Sequence, residues 1–593
     1  MINVTHLVSK AKWMTTENAS PTAHRALLVL LSLAVFVPPL FRDYIDPDET
    51  RHAEVIREML ESGDWTIPSL NYVPYLLKPP LLYWLALGWV KLFDFHPWVL
   101  RLTPLLAAIL GVLATYELGA AVTSRRTGLI AGTILATSVE YVTLAIWFLM
   151  DMLFSAFLFG AWWTFWRHYE KGGETKSWIA LFWLFTALAC LTKGPLGGAL
   201  AVVAIGLFLA LRGEWSFALK LRPVIGMAIL AAVNLPWMIL ISLHDPRFLS
   251  FLYFQINLSG ILGAVLQHAR PFHYYLGAFP VGFLPWSFPA IAAICLSVVE
   301  IIRRGRKTAP AGLVWIVSVF GGGFLFLSIS TAKLATYILP LFPAAAILTA
   351  RYLSQSDNRR PWENLLVPLQ CVTIVAGTAI AVAHDPERAY VDVSLRGPVM
   401  LILLVLAVLL LTGFVSASVA SLRGQFRTAM LIMGLTAMVV LPLGVTQVPR
   451  VATWRTAQQL CESFKQQLTS ADLVVISDNR SFTVPLFLGR RVAIVGRPGE
   501  LGMGLFAQSQ PPDQPIPPDS VRLRPSEVGS EYLLAADDLV ELWPSDRVIY
   551  VFATPELLPK LQGRCKSLWL LGSNGYLTLL TNRDPRAAFS PAK

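Results

Sequence analysis

Six charged residues stand at or near the ends of apolar stretches, where isolated charges are rare. They are Asp48, Arg51, Lys78, Asp151, Lys193 and Lys333. A charge inside a bilayer costs at least about 2.5–3.5 kcal/mol, so it usually has either a function or an opposite charge as its partner. Lysine and arginine side chains are natural ligands for phosphate. The six residues therefore predict one charged site at the edge of a membrane, suited to an anionic headgroup such as phosphate or pyrophosphate.

The composition indicates a membrane protein. Of the 593 residues, 55% are hydrophobic and only 14% are charged, whereas a soluble protein has roughly a quarter of its residues charged. The net charge of +11 comes from basic residues spread through short loops, such as 303–307. Orientation signals have this distribution, whereas a nucleic-acid-binding surface gathers its basic residues in one patch.

Thirteen apolar stretches predict membrane helices, since a span needs about 20 residues and at least about 17. They are 25–41, 99–118, 128–147, 149–166, 177–192, 195–211, 222–243, 274–300, 311–329, 335–351, 362–383, 397–420 and 427–446. The run 81–93 is too short to cross. Leaving it out places all the basic loops on one side, so we predict that 81–93 lies on or dips into the opposite, outer face. The six charged residues fall on that outer face.

Two further segments lie on the outer side in this topology. The first is the loop 42–98, in which an amphipathic helix over 51–61, ended by Gly63, is expected along the membrane surface. The second is the tail, in which strand-like runs alternate with helix-like ones, as in a small α/β domain. The predicted fold is therefore mostly α: a polytopic membrane domain of about 13 helices over 1–446, followed by a soluble α/β domain over 447–593.

Each charged residue also has a purely structural explanation. Asp48 could cap a helix, and Asp151 could pair with a lysine between packed helices. Lys78, Lys193 and Lys333 could extend along the membrane interface. However, lysines on the outer face run against the positive-inside trend. Together with Arg51 they predict a cationic pocket at headgroup level.

The loop before residue 274 holds further candidates. His268 and Arg270 are expected to bind anions, and interfacial histidine is the alternative. The spacing of His268 and His273 lacks the i,i+4 face of a zinc helix, so no metal ligands are assigned, although a divalent metal is left open. The five cysteines show no metal spacing either, and a Cys461–Cys565 disulfide is left open.

The chain resembles one family along nearly its whole length. The similar segments, in order, are 46–54, 57–60, 62–65, 78–79, 151, 192–194, 268–275, 284–286, 333–339 and 499–505. They resemble the bacterial lipid A 4-amino-4-deoxy-L-arabinose transferases, which are GT-C glycosyltransferases related to the protein O-mannosyltransferases. The chain departs from this family at His52, Leu77 and His273, which leaves the exact sugar open.

The resemblance implies an inverting transfer of a sugar from undecaprenyl phosphate to a lipid A phosphate, on the periplasmic face of the bacterial inner membrane. It implies Asp48 and Asp151 as the catalytic acids. By the same resemblance, the donor phosphate would be bound by Arg51, Lys78, Lys333 and Tyr337, with Lys193, His268 and Arg270 as further anion-binding candidates. It also implies a role in polymyxin resistance.

Two other functions stay open from the residues alone. One is a GT-C transferase that moves another sugar from a polyprenyl phosphate to a glycan or an exported protein. The other is a lipid or solute transporter, which would carry charges at the bilayer midplane and often inverted repeats. Neither of those features stands out in the chain.

Overall fold

Apolar helices make up most of the protein. The computed structural model describes residues 20–75, 77–250, 269–355, 361–384, 396–451, 456–477, 481–510, 525 and 532–584. In the membrane part the helices are α1 Pro21–Phe36, α2 Asp48–Ser62, α3 Leu81–Phe93, α4 Pro97–Leu100, α5 Leu102–Val122, α6 Arg125–Ala136, α7 Val139–Ala145, α8 Met150–Glu170, α9 Lys176–Lys193, α10 Leu196–Arg212, α11 Phe217–Lys220, α12 Pro223–His244, α13 Pro246–Ser250, α14 Tyr274–Gly282, α15 Ser287–Arg304, α16 Ala311–Ile329, α17 Phe342–Ser354, α18 Leu366–His384, α19 Arg396–Leu422 and α20 Phe426–Val451. Each predicted span overlaps at least one of these helices.

Seven helical segments in the described part are long and apolar enough to cross a membrane, or eight if the bent pair α6–α7 forms one span. The predicted number of thirteen crossings therefore stays a prediction. The run 81–93 forms the 13-residue helix α3, which is too short to be counted among the seven.

Two of the predicted spans are broken by local chemistry. Helices α6 and α7 meet at 69°, where the hydroxyls of Thr137 and Ser138 each donate to a backbone carbonyl of the preceding turn at 2.7 Å. Such bonds compete with helical ones and bend the backbone. The predicted span 274–300 divides into α14 and α15 around Pro285, which has no N–H to continue a helix.

Helix α2 is more deeply buried than a surface helix would be. The apolar stripe of Ala53, Ile56 and Met59 is buried as expected, and Gly63 ends the helix at a φ of 69°. Glu54 and Glu58 are buried as well, although acids were expected on the exposed side. Glu54 is satisfied by two hydrogen bonds from Arg57 at 2.7 and 2.8 Å. Glu58 accepts a hydrogen bond from the backbone N–H of Tyr72 at 2.9 Å, so a later part of the same loop covers this side of the helix.

The C-terminal part forms a six-stranded sheet in the order β5-β4-β3-β6-β8-β7. Its strands are β3 Leu473–Ser477, β4 Ala493–Val495, β5 Leu533–Leu534, β6 Ile549–Ala553, β7 Trp569–Ser573 and β8 Thr578–Thr581, and a separate hairpin in the first loop pairs β1 Ser69–Leu70 with β2 Val73–Pro74. Its helices are α21 Gln458–Phe464, α22 Thr483–Leu488, α23 Gly502–Ser509, α24 Ala536–Leu542 and α25 Leu558–Gln562. Strands β3 to β6 are parallel, and β7 and β8 run antiparallel. This agrees with the predicted α/β tail.

The two faces of the sheet pack against two different hydrophobic cores. Alternate residues of a strand face opposite sides, and accordingly Val474 and Ile476 join the large core shared with the membrane part. Val475 joins a smaller core beneath α24 and α25. The same division separates Cys461 from Cys565, and both are free thiols. The disulfide that was left open is not formed.

Buried polar contacts join the sheet to the first outer loop. The Asp46 carboxylate accepts hydrogen bonds from Ser481 Oγ at 3.0 Å and from the Thr483 N–H at 3.1 Å. The Asn71 side chain forms two 2.9 Å bonds with the backbone of Val492. Burial raises the pKa of Asp46 to about 6, although the hydrogen bonds act in the opposite direction. The sheet therefore holds the loop that carries Asp48 and Arg51.

Candidate active site

Helix α2 places Asp48 and Arg51 in its first turn. The two side chains are three residues apart, so they share a face and form an ion pair. Asp48 is half exposed, whereas Arg51 is largely buried with 12% of its side chain accessible. Asp48 and Glu49 at the helix N-terminus also favour the helix dipole.

Arg51 has a second acidic partner that comes from the C-terminal part. Its Nη1 lies 2.6 Å from Glu500 Oε2, and the Tyr75 hydroxyl donates to the same oxygen at 2.5 Å. Burial would raise the pKa of Glu500, but the charge of Arg51 and the Tyr75 hydrogen bond outweigh it and hold that pKa below its usual value. The Arg51 Nε is buried and has no hydrogen-bond acceptor in the described part of the chain. One donor of this guanidinium is therefore available to a ligand.

Lys78 follows the β1–β2 hairpin and precedes α3. Burial and the nearby Lys193 charge lower the pKa of its ammonium, against the opposite effect of Glu500 and Asp151. Among the described residues, no ion pair or hydrogen bond engages the Lys78 side chain. A cation held among acids, without a direct partner, is suited to bind an anion.

Asp151 and Lys193 form a direct ion pair. Asp151 lies in the first turn of α8, and Lys193 is the last residue of α9, before Gly194 at a φ of 77°. Lys193 Nζ is 2.6 Å from Asp151 Oδ1, and both side chains are buried. The same ammonium lies 4.0 Å from the centroid of the Tyr337 ring, a cation–π contact. The pairing of Asp151 with a lysine, left open from the sequence, is what the structure has.

Tyr337 lies where these groups converge. The charges of Asp151, Glu500 and Asp48 all act on its hydroxyl. It belongs to the 3₁₀ turn Ala335–Leu341 that leads into α17. The role of Tyr337 beside the residues that would bind the donor phosphate stays a prediction. The structure places its ring next to Lys193.

The structure places Lys333 and Arg270 in a neighbouring pair of loops. Lys333 is buried, and its Nζ donates to the carbonyls of Arg270, at 3.0 Å, and Ser330. It forms no ion pair within the described ranges. Arg270 is exposed, with its guanidinium 5.9 Å from the centroid of the Tyr274 ring. The predicted phosphate-binding role of Lys333 thus stays a prediction, and its ammonium is engaged in closing two loops.

The prediction for His268 lies outside the described residues. The described residues contain no group of three or more His, Cys, Asp or Glu side chains arranged to hold a metal ion.

Two functional candidates, Glu500 and Tyr75, had no role assigned from the sequence, and a third, His52, was noted there only as a departure from the family. Glu500 stands within a segment that resembled the family, but it had no assigned role. Tyr75 hydrogen-bonds to Glu500, and the buried His52 Nδ1 lies 2.8 Å from the Tyr83 hydroxyl. Burial, with Arg51 next, lowers the pKa of His52 to about 3, so this ring is neutral near pH 7. For Glu500, its position as an acid within the family-like segment 499–505 was the signal that could have pointed to it.

The resulting cluster is balanced in charge. Its cations and acids are Arg51, Lys78, Lys193, Asp48, Asp151 and Glu500. Fixed cations stabilise negative charge that develops on a leaving group, because they do not have to reorganise during the reaction. The arrangement is suited to bind a phosphate at the membrane edge and to stabilise it as it departs.

Comparison with known proteins places this arrangement in context. Residues 77–240 match the family model described as dolichyl-phosphate-mannose-protein mannosyltransferase. An undecaprenyl phosphate-alpha-4-amino-4-deoxy-L-arabinose arabinosyl transferase of Edwardsiella ictaluri is 30% identical over 56% of this chain and 59% of its own length. The enzyme of the same name from Shewanella sediminis is 25% identical over 80% of this chain and 88% of its own. The chain spans less than two thirds of the Edwardsiella relative and, at 65%, of the Enterobacter one.

The solved structures extend the similarity to the whole fold. The crystal structure of ArnT from Cupriavidus metallidurans bound to undecaprenyl phosphate covers 97% of this chain and is itself covered completely, with a TM-score of 0.74 at 21% identity. The chain therefore shares its fold with this ArnT structure. The archaeal oligosaccharyltransferase AglB from Archaeoglobus fulgidus matches 96% of the chain and 74% of its own, with a TM-score of 0.54 at 12% identity.

The ArnT-like fold confirms the predicted class, a mostly helical membrane part followed by a C-terminal sheet. Apolar helices and ArnT relatives together indicate a multi-pass protein of the inner membrane. The predicted boundary between residues 446 and 447 stays a prediction.

Proposed function

We propose that this protein is an inverting glycosyltransferase that takes a sugar from undecaprenyl phosphate and transfers it to a lipid A phosphate. The observation that carries the proposal is the buried Arg51, whose Nε has no acceptor, next to Lys78, which has no direct partner among the described residues. In this proposal, a lipid-linked phosphate enters from the bilayer beside both residues. The names of the relatives point to 4-amino-4-deoxy-L-arabinose as the sugar.

The proposed orientation puts the cluster and residues 447–593 on the periplasmic side. The basic loops would then be cytoplasmic, in keeping with the positive-inside trend. Residues 1–446 would form the catalytic membrane domain, and 447–593 the periplasmic domain that covers the first loop.

The mechanism follows from where charge develops. The bond between the anomeric carbon and the phosphate oxygen breaks, its electron pair stays on that oxygen, and an acceptor oxygen bonds to the anomeric carbon from the opposite face. Arg51 and Lys78 would stabilise the departing phosphate, each by about 3–4 kcal/mol if well placed. Lys193 is already paired with Asp151 at 2.6 Å, so it would stabilise the departing phosphate less.

The role of Asp48 depends on the acceptor. A lipid A phosphate is already anionic and needs no general base, so Asp48 would orient Arg51 and the incoming groups. An acceptor hydroxyl would need its proton removed, and the half-exposed Asp48 would be the candidate base.

Mass spectrometry of lipid A tests the proposal. Cells that lack the gene are complemented with the wild-type chain, with Asp48→Asn, or with Asp94→Asn, a matched change of an exposed acid in the same loop. The expected result is a sugar-sized mass increment with wild type and with Asp94→Asn, and its loss with Asp48→Asn. If lipid A is unmodified in all strains and a glycan or exported protein is modified instead, lipid A is not the acceptor. That result would favour the alternative, a GT-C transferase with a different acceptor.

A further inference from the structure

The C-terminal part of the chain contributes one carboxylate to the cluster, and its position is fixed by the backbone. Glu500 lies in the 3₁₀ turn Gly499–Leu501, directly before α23. Helix α23 packs closely on the β1–β2 hairpin: a Cβ on Gly504 would lie 2.3 Å from the carbonyl oxygen of Pro74. Only glycine permits this approach, so the turn is held firmly against the residues that lead to Tyr75 and Lys78.

Glu500 shares the guanidinium that would bind the donor phosphate. It contacts Arg51 Nη1 at 2.6 Å and accepts from the Tyr75 hydroxyl at 2.5 Å, while its side chain remains 22% accessible. Asp48 engages Arg51 Nη2 from the other side. The guanidinium is thus held between two acids, and its Nε is left for a third acceptor.

The charge of the phosphate changes during the proposed reaction. A lipid-linked phosphodiester carries one negative charge, whereas the released monoester carries about −1.5 to −2 near pH 7. Cations that were not shared with acids would therefore hold the product more tightly than the donor. A carboxylate on Arg51 reduces that difference, because it competes with the phosphate for the same donors.

We infer that Glu500 is a positioning residue of this site that acts through Arg51: it orients the guanidinium and limits how tightly the released phosphate is retained. The inference rests on the proposed function, since it assigns Arg51 to a polyprenyl phosphate. It also means that the site is incomplete without the C-terminal part of the chain.

Binding of undecaprenyl phosphate to the purified full-length chain tests this inference, together with lipid A modification in cells. Glu500→Gln should bind undecaprenyl phosphate about tenfold more tightly, because a competing charge is removed. The same variant should modify lipid A at least about tenfold more slowly, because Arg51 is misplaced and product leaves slowly. A destabilised fold would weaken both binding and activity, so the opposite directions distinguish a positioning role from a structural one.

A double-mutant comparison shows whether the effect passes through Arg51. In an Arg51→Ala background, Glu500→Gln should change the Kd for undecaprenyl phosphate by less than about twofold. Tyr75→Phe, which loosens Glu500 without changing any charge, should give a smaller change in the same direction. Gln508→Ala is the matched control, because it removes a 3.1 Å hydrogen bond between α23 and the first loop away from Arg51. It should leave both readouts unchanged.

Unchanged or weaker binding by folded Glu500→Gln would overturn the inference, as would a full effect in the Arg51→Ala background. Should Glu500→Gln not fold, Tyr75→Phe decides in its place by the same criterion. A wild-type chain that fails to bind undecaprenyl phosphate would instead reject the proposed function, a result visible before any variant is compared.

Discussion

Helix α2 carries residues of two arginine–carboxylate clusters that differ in how far their side chains are exposed to solvent. At Glu49, Arg42 and Arg101 approach at 2.8 Å each, and all three side chains are at most 2% exposed. At Arg51, the partners are Asp48 and Glu500, which are 51% and 22% exposed. The first cluster is closed to solvent and the second is open to it.

In the closed cluster, Arg101 directs its donors at the protein itself. Arg101 donates to the carbonyls of Leu40, Arg42 and Asp43 as well as to Glu49. Burial would raise the pKa of Glu49, but Arg101 and Arg42 outweigh it and lower that pKa to about 2. In the open cluster, Arg51 Nε has no acceptor among the described residues. Arg42 Nε in the closed cluster also has no acceptor among the described residues. An unused donor therefore does not identify a site by itself, and the accessible acids distinguish the open cluster.

The largest expected effect is on the closed cluster. Glu49→Gln leaves two buried arginines without a compensating charge, so we expect it to lower the free energy of unfolding by about 3–5 kcal/mol. Thermal denaturation of the purified chain in detergent measures this loss. The control is Glu117→Gln, which breaks the exposed Arg25–Glu117 pair and should cost less than about 1 kcal/mol. Equal losses in both variants would mean that the buried cluster at Glu49 contributes no more to stability than an exposed ion pair.

The open cluster should respond in activity rather than in stability. Lys78→Ala removes a cation that has no direct protein partner in the described ranges, so the melting temperature should hardly change. Lipid A modification should fall about 100- to 1000-fold, as for the loss of one preorganised charge. Lys91→Ala changes an exposed lysine on the adjacent helix α3 and should retain activity. A Lys78→Ala chain with near-normal turnover would exclude Lys78 from phosphate binding.

The pH dependence of the free energy of unfolding tests whether the buried His52, next to Arg51, is held in its neutral form. The pKa of His52 is lowered from 6.5 to about 3, first by burial and then by Arg51. Because the folded pKa lies below the unfolded one, the stability linked to neutral His52 is present above pH 6.5 and is lost as the pH falls toward 3. Between pH 6.5 and 5 the wild type should lose about 2 kcal/mol more than His52→Phe. Parallel stability profiles for the two chains would mean that His52 is not held neutral.

For Lys333 the sequence and the structure suggest different roles. The resemblance implies phosphate binding, whereas the structure shows its ammonium donating to two backbone carbonyls. Lys333→Ala leaves two backbone carbonyls without their donor, so we expect a loss of about 1–3 kcal/mol in the free energy of unfolding. Arg270→Ala, which keeps its backbone carbonyl, is the control. A stable Lys333→Ala chain with weakened binding of undecaprenyl phosphate would restore the role in phosphate binding predicted from the resemblance.

Hydropathy and charge patterns determined the architecture in advance. Apolar stretches long enough for helices predicted the helical membrane part, and alternating strand-like and helix-like runs predicted the α/β tail. The position of 81–93 on the outer face stays a prediction. Hydropathy and charge are summed over residues that are neighbours in the chain. These features can therefore be predicted without knowing which distant residues contact one another. The same patterns singled out Asp48, Arg51, Lys78, Asp151 and Lys193, since an isolated charge in an apolar context is visible in the sequence.

Only the tertiary structure decided which charges meet. It paired Asp151 with Lys193 from another helix, directed Lys333 to two carbonyls, and brought Glu500 from the C-terminal sheet to Arg51. It also separated the closed triad of Glu49 from the open cluster on the same helix. Ion pairs depend on distances of a few ångströms between segments far apart in the chain, and no local pattern encodes those distances. The physical role of each charge was therefore set by packing.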